Sequence, residues 1–249
     1  SLGANSTIYC GRGGSQVIAV GHPVGEYYLY DAIGVYKDQE DLDNSPRETS
    51  SRVGGVKYRD VSGPDGTPDG EINEYDRVYM GSPKPKFTYG LTNRFVWKNF
   101  DLSFLITAQT GGKIFCGGGR AFDTSGLGVK YNVLQKYTNM WWSENEPGDG
   151  VTPGIFVSAS EQQASSRWLY SSDFIKLKNI TLGYTVPLHK NRFITRLRIT
   201  AAVENVFMID DYDAGYSPEA NNDGGLIGRS DYGSYPLPRT FSLGINVGL

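Results

Sequence analysis

The chain of 249 residues carries 24 Lys and Arg against 27 Asp and Glu, a formal net charge of -3, and contains 32 glycines. That charge leaves no basic footprint for nucleic acid, and a glycine share well above the usual ~7% argues against a helical bundle and for a turn-rich β protein. No run of about 18 apolar residues offers a membrane-spanning helix.

In chain order, segments 16–20 and 26–36 (EYYLYDAIGVY) predict strands, and 37–55 a polar loop. Phe87–Trp97 alternates Phe87, Tyr89, Leu91, Phe95 and Trp97 with Thr88, Gly90, Thr92, Arg94 and Val96. Segment 100–109 alternates Phe100, Leu102, Phe104, Ile106 and Ala108 with Asp101, Ser103, Thr107 and Gln109, and Leu105 alone breaks the rule. The best helical spacing, Val133, Leu134, Tyr137 and Trp141, predicts a short helix inside a loop over 129–142. Period two returns in Ile180, Leu182, Tyr184 and Val186, then in Leu197, Ile199, Ala201 and Val203. It closes the chain in Phe241, Leu243, Ile245, Val247 and Leu249. This makes six strands, with 16–20 a seventh.

Alternation of this kind fits a soluble antiparallel sheet with one wet face or a membrane barrel with its apolar face to lipid. Strand length separates the two. Strands of soluble domains are most often about 5–6 residues, whereas a tilted membrane strand needs about 9–11. The connections alternate as well: the tight turn Lys98-Asn99 and the modest 187–195 stand against long loops at 110–172 and 208–238. Aromatics gather at strand ends (Phe87, Trp97, Phe100, Tyr184, Phe207, Phe241), as an interfacial girdle requires. The fold class read from the residues is therefore all-β, an antiparallel transmembrane β-barrel. Two rivals stand beside it: a soluble, calcium-stabilised β-sandwich that binds carbohydrate, and a complete barrel of about eight strands.

Chemistry-bearing groups are few. DGTPDGEINEYD (65–76) fits a calcium-loop frame with Asp65 at position 1, Thr67 at 3, Asp69 at 5, Gly70 at 6, Glu71 at 7, Asn73 at 9 and Asp76 at 12. Oxygens at alternate positions wrap a hard cation, and glycine at position 6 permits the sharp turn. Asp60 and Ser62 lie just upstream, and the same residue types also make ordinary turns without a metal. Asp210, Asp211 and Asp213 form a second acidic group in a loop. His22, His189 and Gly117-Gly118-Gly119 lie in no nucleophile or phosphate-loop motif, so no enzyme is expected. Trp141-Trp142 reads as a loop anchor or a platform for a sugar ring. Cys10 and Cys116 make one bridge or two thiols. SLGAN opens the sequence without the charged end and apolar run of a signal peptide.

Several segments together resemble the C-terminal part of the SusC/RagA-type TonB-linked outer-membrane transporters. They are GHPVGEYYLYDAIGVY (21–36), KYRDVSGPDGTPDGEINEYDRVYMGSPKPKFTYGLTNRFVWKNFDLSF (57–104), SSRWLYSSDFIKLKNITLGYTVP (165–187), RLRITAAVENVF (196–207) and YPLPRTFSLGINVGL (235–249). The family's loop has the shorter form DVNGDG, so 63–68 reads as an insertion and the frame starts at Asp60 or Asp65; Ile72 at position 8 favours Asp65. The resemblance implies a 22-stranded barrel with an N-terminal plug and import of glycan or peptide fragments. It also implies a SusD-like surface lipoprotein as lid and energy from TonB through the plug. Twenty-two strands of about 10 residues require about 220 before any loop is counted. Residues 1–249 thus read as one C-terminal barrel segment in the outer membrane, roughly the last third of such a barrel, without its plug. Polar residues Arg94, Asp101, Gln109, Arg198 and Glu204 would face the lumen, and the two long loops would meet ligand and lid.

Overall fold

The computed structural model describes residues 7–123, 135–154, 163–188, 193–222 and 227–249. Its chain divides into two compact units, one of Ser1–Pro83, Lys113–Tyr170 and Ala220–Ser234, the other of Lys84–Gly112, Ser171–Glu219 and Tyr235–Leu249.

The second unit is an antiparallel sheet of five long strands, β1 (Phe87–Trp97), β2 (Phe100–Thr110), β3 (Phe174–Thr185), β4 (Arg196–Asp210) and β5 (Thr240–Gly248), in the order β5-β4-β3-β2-β1. β1 and β2 form a hairpin in which Trp97 pairs with Phe100, and Lys98 takes the positive φ of 52° that so tight a turn demands. Because side chains alternate, the registers align apolar residues into rows across all five strands. One row is Trp97, Phe100, Tyr184, Ile199 and Ile245; the next is Phe95, Leu102, Leu182, Ala201 and Leu243. A third joins Phe104, Ile180, Val203 and Phe241. These rows are not a core: Trp97 is 67% exposed and Leu243 78%. The second layer that a sandwich would lay over them is absent among the described residues. The sheet is open, with β1 and β5 as its edges.

β3 and β4 are longer than the alternation predicts, and a bulge explains why. From Leu105 to Ile106 β2 takes one step, β3 takes two (Asn179 to Leu177) and β4 three (Glu204 to Phe207). Extra residues of this kind break the phase of a strand without ending it. Asn205 takes φ 52° within the bulge. Ile175 and Leu177 consequently rejoin the apolar face that Ile180 and Leu182 occupy, although their sequence parity is opposite.

The first unit has a conventional interior. Thr7–Cys10, Gln16–Ala19, Glu26–Tyr30 and Arg77–Tyr79 form a four-stranded antiparallel sheet, and Ala32–Val35 pairs with Val56–Tyr58. Segment 26–36, expected as one strand, is therefore two, each arm with its own partner. Lys113–Cys116 pairs in parallel with Ser230–Asp231. Tyr27, Leu29, Ile114, Phe115, Met140 and Trp168 are buried together with the small cluster of Tyr30, Val56, Tyr58 and Ile72. Phe115 meets Trp168 edge-on at 6.4 Å, and the Tyr27 hydroxyl donates to the Arg229 carbonyl at 2.6 Å. Much of the span expected as a long loop, 110–172, thus supplies core and not loop. Within 129–142, residues 129–134 lie outside the described residues, and Gln135–Asn139 is a single 3-10 turn.

Candidate functional site

The polar face of the five-stranded sheet carries charged side chains fixed by the strands themselves. Asp101, Gly183, Thr200 and Gly244 share one row across β2 to β5. Arg198 lies one row away on β4, yet its Nη2 donates to Asp101 Oδ2 at 2.8 Å. It reaches across β3 because Gly183 has no side chain; a Cβ there would collide with both partners. Arg94 of β1 approaches the same carboxylate at 4.0 Å. Two arginines from different strands therefore bracket one half-buried aspartate. Gln109 donates through Nε2 to the Ser172 carbonyl, and Glu204 is exposed where the bulge begins.

Lys176 was not among the expected residues. It sits on this face between Ile175 and Leu177, its side chain only 5% exposed, and its Nζ donates to Glu219 Oε2 at 2.7 Å. The signal was there: a lysine inside an apolar strand must find an anion or leave a buried charge unpaired.

The calcium-type loop is held by carboxylates accepting from backbone N–H groups. Asp76 is fully buried; its Oδ1 accepts from Val61 N (2.8 Å) and Ser62 N (3.2 Å), its Oδ2 from Asn73 N (2.8 Å). Asn73 Oδ1 in turn accepts from Tyr75 N, completing a capping box on the turn Glu74–Asp76. Asp60 Oδ2 accepts from Gly70 N at 2.7 Å, and Gly70 takes φ 83° as the sharp turn needs. Asp69 Oδ1 accepts from Glu71 N at 3.0 Å, and its carboxylate lies against Gly63. Asp65 and Thr67 stay apart from these. Thr67 donates both its hydroxyl (2.8 Å) and its N–H (3.0 Å) to Asp65, holding that exposed carboxyl below its ordinary range. Asp60, Asp69, Asn73 and Asp76 thus accept from backbone N–H groups of the loop, whereas the inserted Asp65 and Thr67 bond to each other. Among the described residues no group of three or more His, Cys, Asp or Glu side chains is arranged to hold a metal ion. Asp60 Oδ1 is buried there without a hydrogen-bond partner.

The remaining residues singled out by the sequence do local work. Trp141 is buried and its Nε1 donates to the Lys37 carbonyl at 2.9 Å, which is an anchor, whereas Trp142 is exposed. His22 stacks on Tyr79 at 3.6 Å with its Nδ1 2.9 Å from Glu26 Oε2; His189 lies outside the described residues. Asp210 Oδ1 closes a turn on Tyr212 N. Gly117 opens the short helix Gly117–Asp123. Neither cysteine is in a disulfide.

No family model matches the chain. It is 32% identical over 94% of its length to TonB-dependent receptor P3 of Formosa agariphila, covering 23% of that protein. It is 27% identical over 94% of its length to TonB-dependent receptor SusC of Bacteroides thetaiotaomicron, covering 21%. The chain thus spans about a quarter of the length of these relatives. Among solved structures, a chain of the RagAB peptide importer superposes with a TM-score of 0.73 at 20% identity, over 94% of this chain and 23% of that one.

Proposed function

The chain belongs to the SusC/RagA-type TonB-linked outer-membrane transporters as a C-terminal part of such a protein, and from that premise we propose that it supplies barrel strands and loops for TonB-dependent import of nutrient oligomers, glycan or peptide fragments. Its place is the outer membrane. In this reading the unpaired edges of β1 and β5 join further strands into a 22-stranded barrel, since a membrane leaves no strand edge unsatisfied. The rows of Trp97, Phe95, Leu182, Leu243 and Ile245 meet hydrocarbon. The opposite face, with Arg94, Asp101 and Arg198, lines the lumen beside a plug through which TonB acts. The remaining loops meet ligand and a SusD-like lipoprotein lid. No covalent step is involved.

The observation that carries this proposal is the exposure of Trp97, Phe95, Leu182, Leu243 and Ile245 in apolar cross-strand rows on a sheet whose other face holds an ion-paired network. The test is behaviour in the membrane. The protein purified with the rest of its barrel is expected in the outer-membrane fraction, folded only in detergent or lipid and migrating differently on gels before and after boiling. A water-soluble monomer melting cooperatively without detergent would overturn it.

A structural calcium ion at Asp65, Thr67, Asp69, Asn73 and Asp76, with Glu71 contributing its backbone carbonyl, belongs to the same proposal, supported by the spacing of oxygens and the turn at Gly70. A chelator is then expected to lower the melting temperature, and Asp69→Ala to abolish that difference. Equal melting with and without chelator would leave the loop to its carboxylate–amide bonds alone.

A further inference from the structure

In the first unit a cleft of about 520 Å³ opens between 47–51 and 70–72, lined by Arg47, Glu48, Thr49, Ser51, Glu71 and Ile72. Its size lies within the ~300–1,000 Å³ of small-ligand sites. Its walls are tied together by backbone: Arg47 and Glu71 form a parallel bridge, and Ile72 N donates to the Arg47 carbonyl at 3.2 Å.

The charges in it are not balanced. Arg47 directs Nη1 to the Leu42 carbonyl (3.0 Å) and to Asp43 Oδ1 (2.7 Å), so its cation is already matched by a carboxylate that is not part of the lining. Glu48 is half-buried and, among the described residues, receives two long bonds, from Ser50 Oγ at 3.3 Å and Gln163 Nε2 at 3.4 Å. Glu71 makes no side-chain hydrogen bond or ion pair among the described residues. Burial lifts the Glu48 carboxyl above its ordinary range, the condition a neighbouring cation would relieve. Among the described residues no aromatic ring lines the cleft on which a sugar ring could stack.

We propose that this cleft is a binding site for a primary ammonium group, taken by the carboxylates of Glu48 and Glu71 with the Thr49 hydroxyl as a further acceptor. It rests on the importer reading, for which it names a charged feature of one ligand class. Two carboxylates in a cleft whose Arg47 is already paired with Asp43 attract an ammonium, and partial burial keeps water from screening the attraction fully.

The test is calorimetric titration of the full-length transporter in detergent at neutral pH. Four probes are used: triglycine amide (α-ammonium only), Nα-acetyl-lysine amide (side-chain ammonium only), N-acetyl-triglycine amide and maltotriose (both uncharged). At least one ammonium probe is expected to bind about tenfold or more above the uncharged pair, and which one binds identifies the source of the ammonium. Glu71→Gln, at an exposed position, is expected to weaken that probe about threefold, and Glu48→Gln about tenfold. Both substitutions keep the side-chain shape, and unchanged gel migration before boiling verifies the fold. Equal affinity for charged and uncharged probes, no binding of either ammonium probe, or undiminished binding in the double variant each overturns the site. None of these touches the importer reading, which falls only if the same preparation is soluble and folded without detergent.

Discussion

Trp168 and Leu243 show how differently the two units use apolar side chains. Trp168 is fully buried in the first unit, beside Phe115 and with Arg167 over its ring. Leu243 is 78% exposed in the second, on a row that runs across the sheet. Both lie in β-rich regions of one chain, yet the first unit buries Tyr27, Tyr36, Tyr58, Phe115 and Trp168 while the second turns Phe, Leu and Ile outward. Water explains the first arrangement, since burying apolar surface contributes about 25 cal/mol per Å². It would oppose the second, because a patch of that extent is costly in water and marks a membrane or partner surface. The same alternating pattern therefore serves two solvents.

That contrast can be broken experimentally, beginning with its strongest element. Trp168→Ala should cost about 3–5 kcal/mol through the cavity it opens, read by denaturant unfolding of the detergent-solubilised protein, whereas Leu243→Ala should be nearly silent. Comparable losses at both would mean the second sheet has a hidden aqueous core. Leu243→Arg is the converse probe. Placed against lipid, it should cost about 2–4 kcal/mol near the midplane and reduce the assembled fraction in the outer membrane, while a water-facing Leu243 would accept it without effect.

Smaller effects sharpen the picture within each unit. Asp76→Ala leaves Val61, Ser62 and Asn73 N–H groups without their acceptor and should cost about 1–3 kcal/mol; proteolysis at 60–76 would follow it, and an unchanged cleavage rate would show that other contacts hold the loop. Gly183→Val should separate Arg198 from Asp101 and destabilise the sheet by about 1–3 kcal/mol. An equal loss in an Asp101→Asn background would show that strand packing, and not the ion pair, suffers.

The smallest expected effect is on acid stability. Asp41 is raised by burial but more than compensated by the Lys57 ammonium at 2.6 Å, the Lys37 N–H and the Ser45 hydroxyl, leaving its carboxyl below the usual 3.8. A depressed folded value stabilises above that figure and is lost as pH falls through and below it. Asp41→Asn should therefore flatten the acid limb of a melting-temperature profile by an amount worth less than ~1 kcal/mol, without changing its neutral plateau more than that.

Amino-acid order alone determined the strands whose phase never slips. Phe87–Trp97, 100–109 and the final Phe241-to-Leu249 run are legible because every second residue but Asn93 is apolar, and because that stripe survives whatever the strand pairs with. The same order carried the resemblance to the transporter family and the polar residues that share the Asp101 face, while the capping box of Asn73 and Asp76 emerged only in the structure. Tertiary structure decided the rest. The bulge at Lys178 and Asn205 is a property of three strands compared, so no single stretch could reveal that Ile175 and Leu177 share a face with Ile180. The division of 26–36 depends on two different partner strands, and the burial of Phe115 and Trp168, within the span expected as a loop, depends on Phe115 meeting both Trp168 and the distant Tyr27. Alternation records which side chains lie together on a face, a local fact. Which solvent or neighbour that face meets is a non-local one, set only when distant segments close on each other.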